Sequence, residues 1–228
     1  MKNKGKKINR IEQAVIEEII NRSNSAAEIS DSDQAEMAIP SYLNQNPLIR
    51  EIFWRRYDRV YKLAKFSPEM TVCEFGCGIG VFLPVLARET AEVYAIDLFP
   101  QYAQMLASEF DLNVKFSKSL DIVPDNSLDI LFAAEVLDPL DDLDAGIQLL
   151  ARKLKPGGRL IMSGPTESLI YKIGRFLVGY NKYHDYHRNN VYDIRQAILE
   201  NGFSLERTIY FPNRVILLNL ICSFRVNK

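Results

Sequence analysis

Apolar residues recur along this chain with two different periods. From Thr71 to Pro165, short runs rich in β-branched and aromatic residues alternate with longer stretches of helical spacing. Strands are predicted at about 71–75, 92–97, 113–116, 128–134 and 159–164, with helices at about 80–89, 100–109 and 142–154 between them. Pro156-Gly157-Gly158 reads as the turn into the fifth strand. Such βαβα alternation implies a parallel sheet with helices on both faces. After a break at 165–189, a helix is predicted over 191–201, with Gly202 as its C′ residue. Two strands, about 204–211 and 214–226, close the chain around the turn chemistry of Pro212 and Asn213.

Upstream, Ile8, Ile11, Val15, Ile16, Ile19 and Ile20 fall at helical spacing and predict an amphipathic helix of about four turns. The polar run 23–36 reads as a linker. Asn46 before Pro47 has the form of an N-cap followed by a first-turn proline. The helix it opens, about 47–65, presents Leu48, Ile52, Phe53, Val60 and Leu63 on one side, with Trp54 and Tyr57 adding aromatic surface. The expected organisation is a basic tail, helix and linker over 1–36, then one α/β domain over 37–228 with an insertion at 165–190.

Composition narrows the functional classes. The 228 residues carry a net charge of −1, so no overall field draws the chain to nucleic acid or to anionic lipid. No basic stripe interleaved with aromatics is present, and no apolar run reaches the roughly 18 residues of a membrane span. The N-terminus lacks the apolar core of a secretory signal. Cys73, Cys77 and Cys222 are too few for a disulfide framework and have no zinc-site partners, so they read as small buried thiols. A reducing, cytoplasmic location is expected.

The chemistry concentrates in Val72-Cys73-Glu74-Phe75-Gly76-Cys77-Gly78-Ile79-Gly80. A glycine-rich turn after a strand lets a nucleotide approach the backbone. A dinucleotide fingerprint needs a glycine where Val81 stands; here the third glycine comes one residue early, at Gly80. Asp97, at the end of the second strand, is placed to bind a ribose.

The sequence E-x-G-x-G-x-G, the acid of Ala95-Ile96-Asp97, the segment PDNSLDILFAAEVLDPLDDL and the segment LLARKLKPGGRLIMSGP together resemble class I S-adenosylmethionine-dependent methyltransferases of the small-molecule type. The resemblance is detailed over about 71–165 and looser through the final hairpin. It implies a Rossmann-like, doubly wound, mostly parallel seven-stranded sheet of order 3-2-1-4-5-7-6, with strand seven antiparallel. It also implies S-adenosyl-L-methionine as the methyl donor. Glu74 would orient the methionine amino group. Gly76, Cys77, Gly78 and Gly80 would line the loop, Asp97 would accept from the ribose hydroxyls, and Leu98 would pack near adenine.

Two departures from the family pattern stand out. The usual acid after the third strand is replaced by Ser117-Lys118-Ser119-Leu120-Asp121, which leaves Ser119, Leu120 and Asp121 as alternatives for facing adenine. After the fourth strand Glu135 is kept near the expected sulfonium position, but Pro139 stands where relatives often carry a histidine. The two histidines, His184 and His187, lie in the Tyr/His/Asn-rich insertion and are candidates for acceptor binding or proton removal. The segment Ser168–Tyr180 mixes apolar residues with Tyr171, Lys172 and Arg175. It reads as packing, as the wall of an apolar acceptor pocket, or as a peripheral membrane contact. The expected activity is methyl transfer to a small-molecule, apolar or lipid-like acceptor. The alternatives are a non-catalytic domain that binds S-adenosylmethionine and an NAD-dependent oxidoreductase.

Overall fold

The strand-forming runs assemble into one seven-stranded sheet, seen in a computed structural model that describes residues 8–26, 39–166 and 189–228. Its strands are β1 (Thr71–Phe75), β2 (Glu92–Ile96), β3 (Lys115–Ser117), β4 (Leu128–Ala134), β5 (Leu154–Pro165), β6 (Phe203–Pro212) and β7 (Leu217–Val226). Their order is β3-β2-β1-β4-β5-β7-β6. β1 to β5 pair in parallel, whereas β7 runs antiparallel to both β5 and β6. The fold expected from the resemblance is therefore present.

Seven α-helices accompany the sheet among the described residues: α1 (Gln13–Ala26), α2 (Ile39–Tyr42), α3 (Pro47–Ala64), α4 (Leu83–Glu89), α5 (Gln101–Glu109), α6 (Leu143–Lys153) and α7 (Val191–Glu200). The central strands alternate their side chains between two faces. Val72, Ile130, Phe132, Ile161 and Ile221 join residues of α1 to α5 in one core. Cys73, Leu131, Leu160, Met162 and Cys222 join α6 and α7 in the other. Strands buried on both sides explain why these runs are continuously apolar.

Three helices start where short polar side chains cap them. Asn46 accepts from the Leu48 N–H at 3.0 Å, Asp142 from Ala145 at 2.9 Å, and Asn190 from Tyr192 at 2.9 Å and Asp193 at 3.0 Å. The bounds of β1 and β4 match the sequence reading. Three others move. β5 begins at Leu154, with a register shift against β4 at the proline–glycine turn. β3 covers Lys115–Ser117 rather than 113–116. The first helix begins at Gln13, leaving Ile8 and Ile11 in a segment outside the helix. There the Asp58 carboxylate accepts the Ile8 N–H at 2.9 Å and two Arg10 bonds at 3.0 and 2.7 Å, so a tertiary anchor replaces the first helical turn. Among the described residues, no helix is long and apolar enough to cross a membrane.

Candidate active site

β1 ends at Phe75 and the chain turns sharply. The N–H groups of Gly76 and Cys77 both reach the Ile96 carbonyl, at 2.8 and 3.1 Å, which ties the loop to the end of β2. Gly76 sits at φ +75°, and a Cβ there would fall 2.4 Å from Cγ2 of Val136. Only glycine tolerates both the left-handed backbone and that approach. Gly80, at φ +80°, is crowded in the same way by Ala103 and Leu83. α4 begins at Leu83 rather than at 80, so the loop is a separate turn.

Asp97 is oriented by this loop. One carboxylate oxygen accepts the Gly78 N–H at 2.7 Å, and the other accepts the Phe99 N–H at 2.9 Å. A carboxylate has further lone pairs, so these bonds fix its direction and leave acceptor capacity. Leu98 beside it is 67% exposed, an apolar surface with nothing packed on it. Past β3, Ser119 caps a 3₁₀ turn, Leu120–Ile122, and its hydroxyl donates to Asp121 at 2.7 Å. The Leu120 side chain is buried in the core with Tyr94 and Val123. Any contact it makes with a ligand beside Leu98 is therefore through its backbone, whereas Ser119 and Asp121 are exposed there.

Glu74 is 1% exposed, and its Oε2 has no hydrogen-bond partner. Burial, reinforced by the nearby charge of Asp97, pushes its carboxyl well above the usual carboxylate range, with Arg56 opposing the shift. A buried carboxyl with a free oxygen is a receptor for a cation or a donor. An α-ammonium group fits that description. Cys77 is also buried, and its thiol is pushed up by burial, so it is an inert wall of the loop.

Glu135 lies at the carboxyl end of β4, in the left-handed region at φ +58°. Its N–H donates to the Ser163 carbonyl at 2.8 Å. Its carboxylate pairs with Arg56 and accepts from the Asn219 amide. Glu135 therefore points across the strand end toward α3 and β7. Arg56 has a side chain only 5% exposed, and its Nε has no partner. Burial opposes its charge, but Glu135 and two tyrosine hydroxyls more than offset this and raise its pKa above the normal arginine value. The guanidinium lies over Tyr57 and Phe53, at 5.1 and 5.4 Å from the ring centroids. Tyr42 and Tyr57 are both buried and hydrogen-bonded to each other; burial pushes Tyr42 up to about 12 and Tyr57 upward as well.

The structure thus brings Glu74, the glycines, Cys77, Asp97, Leu98 and Glu135 to one edge of the sheet, with Ser119 at its β3 end. His184, His187 and Ser168–Tyr180 lie outside the described residues. The sequence reading missed Arg56, Tyr42, Ser163 and Asn219. Arg56 stands in line with the apolar stripe of α3, four residues after Ile52 and four before Val60. The available signal was that position, a charged residue on the apolar side of the helix. No group of three metal-ligating side chains occurs among the described residues.

Comparisons with known proteins identify the family. Residues 48–213 match the family model described as a methyltransferase domain. A ubiquinone biosynthesis O-methyltransferase of Xanthomonas oryzae pv. oryzae is 33% identical over 99 residues, 40% of this chain and 41% of that one. A ribosomal protein L11 methyltransferase of Burkholderia vietnamiensis is 34% identical over 103 residues, 43% of this chain and 33% of that one. The matched region is thus less than half the length of these curated relatives. Among solved structures, the N-methyltransferase NodS of Bradyrhizobium japonicum, bound to S-adenosyl-L-homocysteine, superposes with a TM-score of 0.64. It is 18% identical, over 87% of this chain and 100% of that one. The magnesium protoporphyrin IX methyltransferase of Synechocystis, also with bound S-adenosylhomocysteine, gives 0.57 at 21% identity, over 94% and 96% of the two chains. At these identities the structures establish the fold, and the family match covers most of the chain. The chain belongs to the methyltransferase-domain family, whose methyl donor is S-adenosylmethionine.

Proposed function

We propose that this protein transfers the methyl group of S-adenosylmethionine to a small-molecule acceptor. The observation that carries the reading is Glu74: a fully buried carboxyl with one free oxygen, at the end of β1, beside a loop whose Gly78 N–H aligns the Asp97 carboxylate. Glu74 would receive the methionine ammonium, directly or through water. Asp97 would accept from the ribose hydroxyls, and Leu98 would cover adenine. Ser119 and the backbone of Leu120 are the groups available to the adenine edge. The sulfonium supplies an activated methyl group. The protein's part is to hold the nucleophile in line with it and keep water out. A small-molecule acceptor is supported by the ubiquinone biosynthesis O-methyltransferases among the relatives.

Isothermal titration with S-adenosylhomocysteine tests the reading. Binding to the wild type, weakened at least tenfold in Asp97→Asn, is expected. Heat with NAD and none with S-adenosylhomocysteine would sink it. Hydrogen bonds to a charged group are worth about 1.5–3 kcal/mol, so the tenfold figure is the lower end for one lost bond.

A further inference from the structure

Among the described residues, four buried side-chain polar atoms lack a partner: Arg56 Nε, Glu74 Oε2, Ser163 Oγ and Arg195 Nε. Native interiors leave few such atoms. Three of the four share one location. Register places Glu74, Ser163 and Asn219 on the same face of the sheet. Glu74 pairs with Phe132, Phe132 with Ile161, and Ser163 lies two residues on from Ile161. Ser163 in turn pairs with Ile221, and Asn219 lies two residues before it. α3 covers this face and brings Arg56 to Glu135. Glu74 and Asp97 serve the donor side of the edge. Ser163 on β5 and Asn219 on β7 lie beyond β4, on the other side of Glu135 from them. Two further unpartnered groups on this face, the Ser163 hydroxyl and the Arg56 Nε–H, call for a polar ligand.

We propose that Glu135 is the general base of the reaction, that Arg56 and Asn219 are its positioning residues, and that the acceptor is a phenol or enol whose oxygens meet the free Ser163 hydroxyl and Arg56 Nε. This rests on the methyltransferase reading above. Glu135 holds one bond on each carboxylate oxygen and retains lone pairs for a third donor. Its left-handed backbone is the kind of local strain kept where it aims a functional group. In the step, an oxygen lone pair of the acceptor forms the bond to the methyl carbon. The carbon–sulfur bond breaks with its electron pair remaining on sulfur, and the hydroxyl proton passes to Glu135 and then to solvent. A carboxylate is a weak base, so it suits an acidic hydroxyl. A phenol, near pKa 10, is within its range in a way that an alkanol, close to water at about 15.7, is not. The titratable groups around Glu135 are Arg56 and Tyr57 on α3, Tyr42 on α2 and Glu74 on β1, with Asp138 three residues along its own loop.

The test has two stages, which separates its failure from failure of the wider reading. Binding of S-adenosylhomocysteine is measured first; its absence removes the methyltransferase assignment itself. The complex is then titrated with 4-nitrophenol and with 3,4-dihydroxybenzoate, and methyl transfer to each is assayed. Both stages use the full chain. The inference expects at least one of these phenols to bind and accept methyl. Ser163→Ala should leave Tm unchanged, because its hydroxyl bonds nothing in the protein, yet weaken the phenol about fivefold, the worth of one neutral hydrogen bond. Glu135→Gln should keep S-adenosylhomocysteine binding, lower kcat by about 10²-fold or more, and abolish the acid limb of kcat/KM. Arg56→Lys, which keeps the charge, should lose less than Arg56→Ala. The proposal is overturned if neither phenol binds, if Glu135→Gln turns over at the wild-type rate, or if its acid limb persists near the histidine range.

Discussion

Glu74 and Asp97 are carboxylates one strand apart, and their surroundings give them opposite characters. Asp97 accepts two backbone N–H groups and stays open to one side. Glu74 is enclosed, with an oxygen that nothing satisfies. Its raised pKa has a definite consequence for stability. Below the ordinary carboxyl pKa, about 4.3, folded and unfolded chains both carry the proton. As pH rises, the unfolded chain releases it first, so stability falls until the folded-state pKa is passed. Glu74→Gln removes this loss. Its Tm without ligand should exceed that of the wild type at pH 7, and the difference should vanish near pH 4. Binding of a cationic ammonium favours the ionised carboxyl. The wild type should therefore release a proton on taking up S-adenosylhomocysteine at pH 7, as calorimetry in buffers of different ionisation enthalpy would detect. Glu74→Gln should release none and bind more weakly. A wild-type protein that binds without proton release would show that Glu74 is already ionised.

The loop after β1 and the loop after β4 form one unit. Gly76 has no room for a side chain because Val136, next to Glu135, occupies it. Gly76→Ala should cost about 1–2 kcal/mol from the left-handed backbone alone, and more from the contact with Val136. Val136→Ala in the same chain should recover part of the contact cost, since its Cβ would still lie 2.6 Å from the added methyl, giving a double mutant more stable than the sum of the single changes. Simple additivity in chemical denaturation would show that the loops are not coupled. How far such arrangements can be read in advance depends on whether their cause is local. β1 and β4 were legible because short, mostly apolar runs bounded by turn residues are a local signal. So were the cap at Asn46 and the glycine turn. Arg56 was not. Its helix was expected to bury Leu48, which is 71% exposed, and the buried set instead contains Trp54, Arg56, Tyr57 and Asp58. Spacing puts Arg56 in line with Ile52 and Val60, but a charged side chain reads as water-facing unless a partner is known. The partners of Arg56 and Asp58 come from a distant strand end and from the N-terminal segment.

That second partnership governs how the N-terminal segment joins the domain. Asp58, with a side chain 8% exposed, gathers the Ile8 N–H and the Arg10 guanidinium, while Arg10 also reaches Glu51. From this anchor the chain enters α1, which buries Ile16, Ile19 and Ile20 and contacts α5. Asn24 accepts the Tyr102 hydroxyl at 2.5 Å, and Ser23 bonds the Met105 sulfur at 3.1 Å. α5 follows Asp97 directly, and Ala103 within it closes on Gly80. The N-terminal helix therefore braces the back of the glycine loop. Asp58→Ala should leave the buried Ile8 N–H without a partner and free Arg10, at a cost of about 1–3 kcal/mol. Because Arg10 retains Glu51, the loss should fall short of that for a stranded buried charge, about 3–5 kcal/mol. The effect should be uneven across the protein. Hydrogen exchange should rise first through residues 8–26 and α5, with β4, β5 and α6 unchanged. Affinity for S-adenosylhomocysteine should fall modestly, through the loop, without any contact between Asp58 and the ligand. Uniform exchange across both faces of the sheet would mean that the segment unfolds only with the rest of the domain. Unchanged affinity despite a released α1 would mean that the loop holds its shape without the brace.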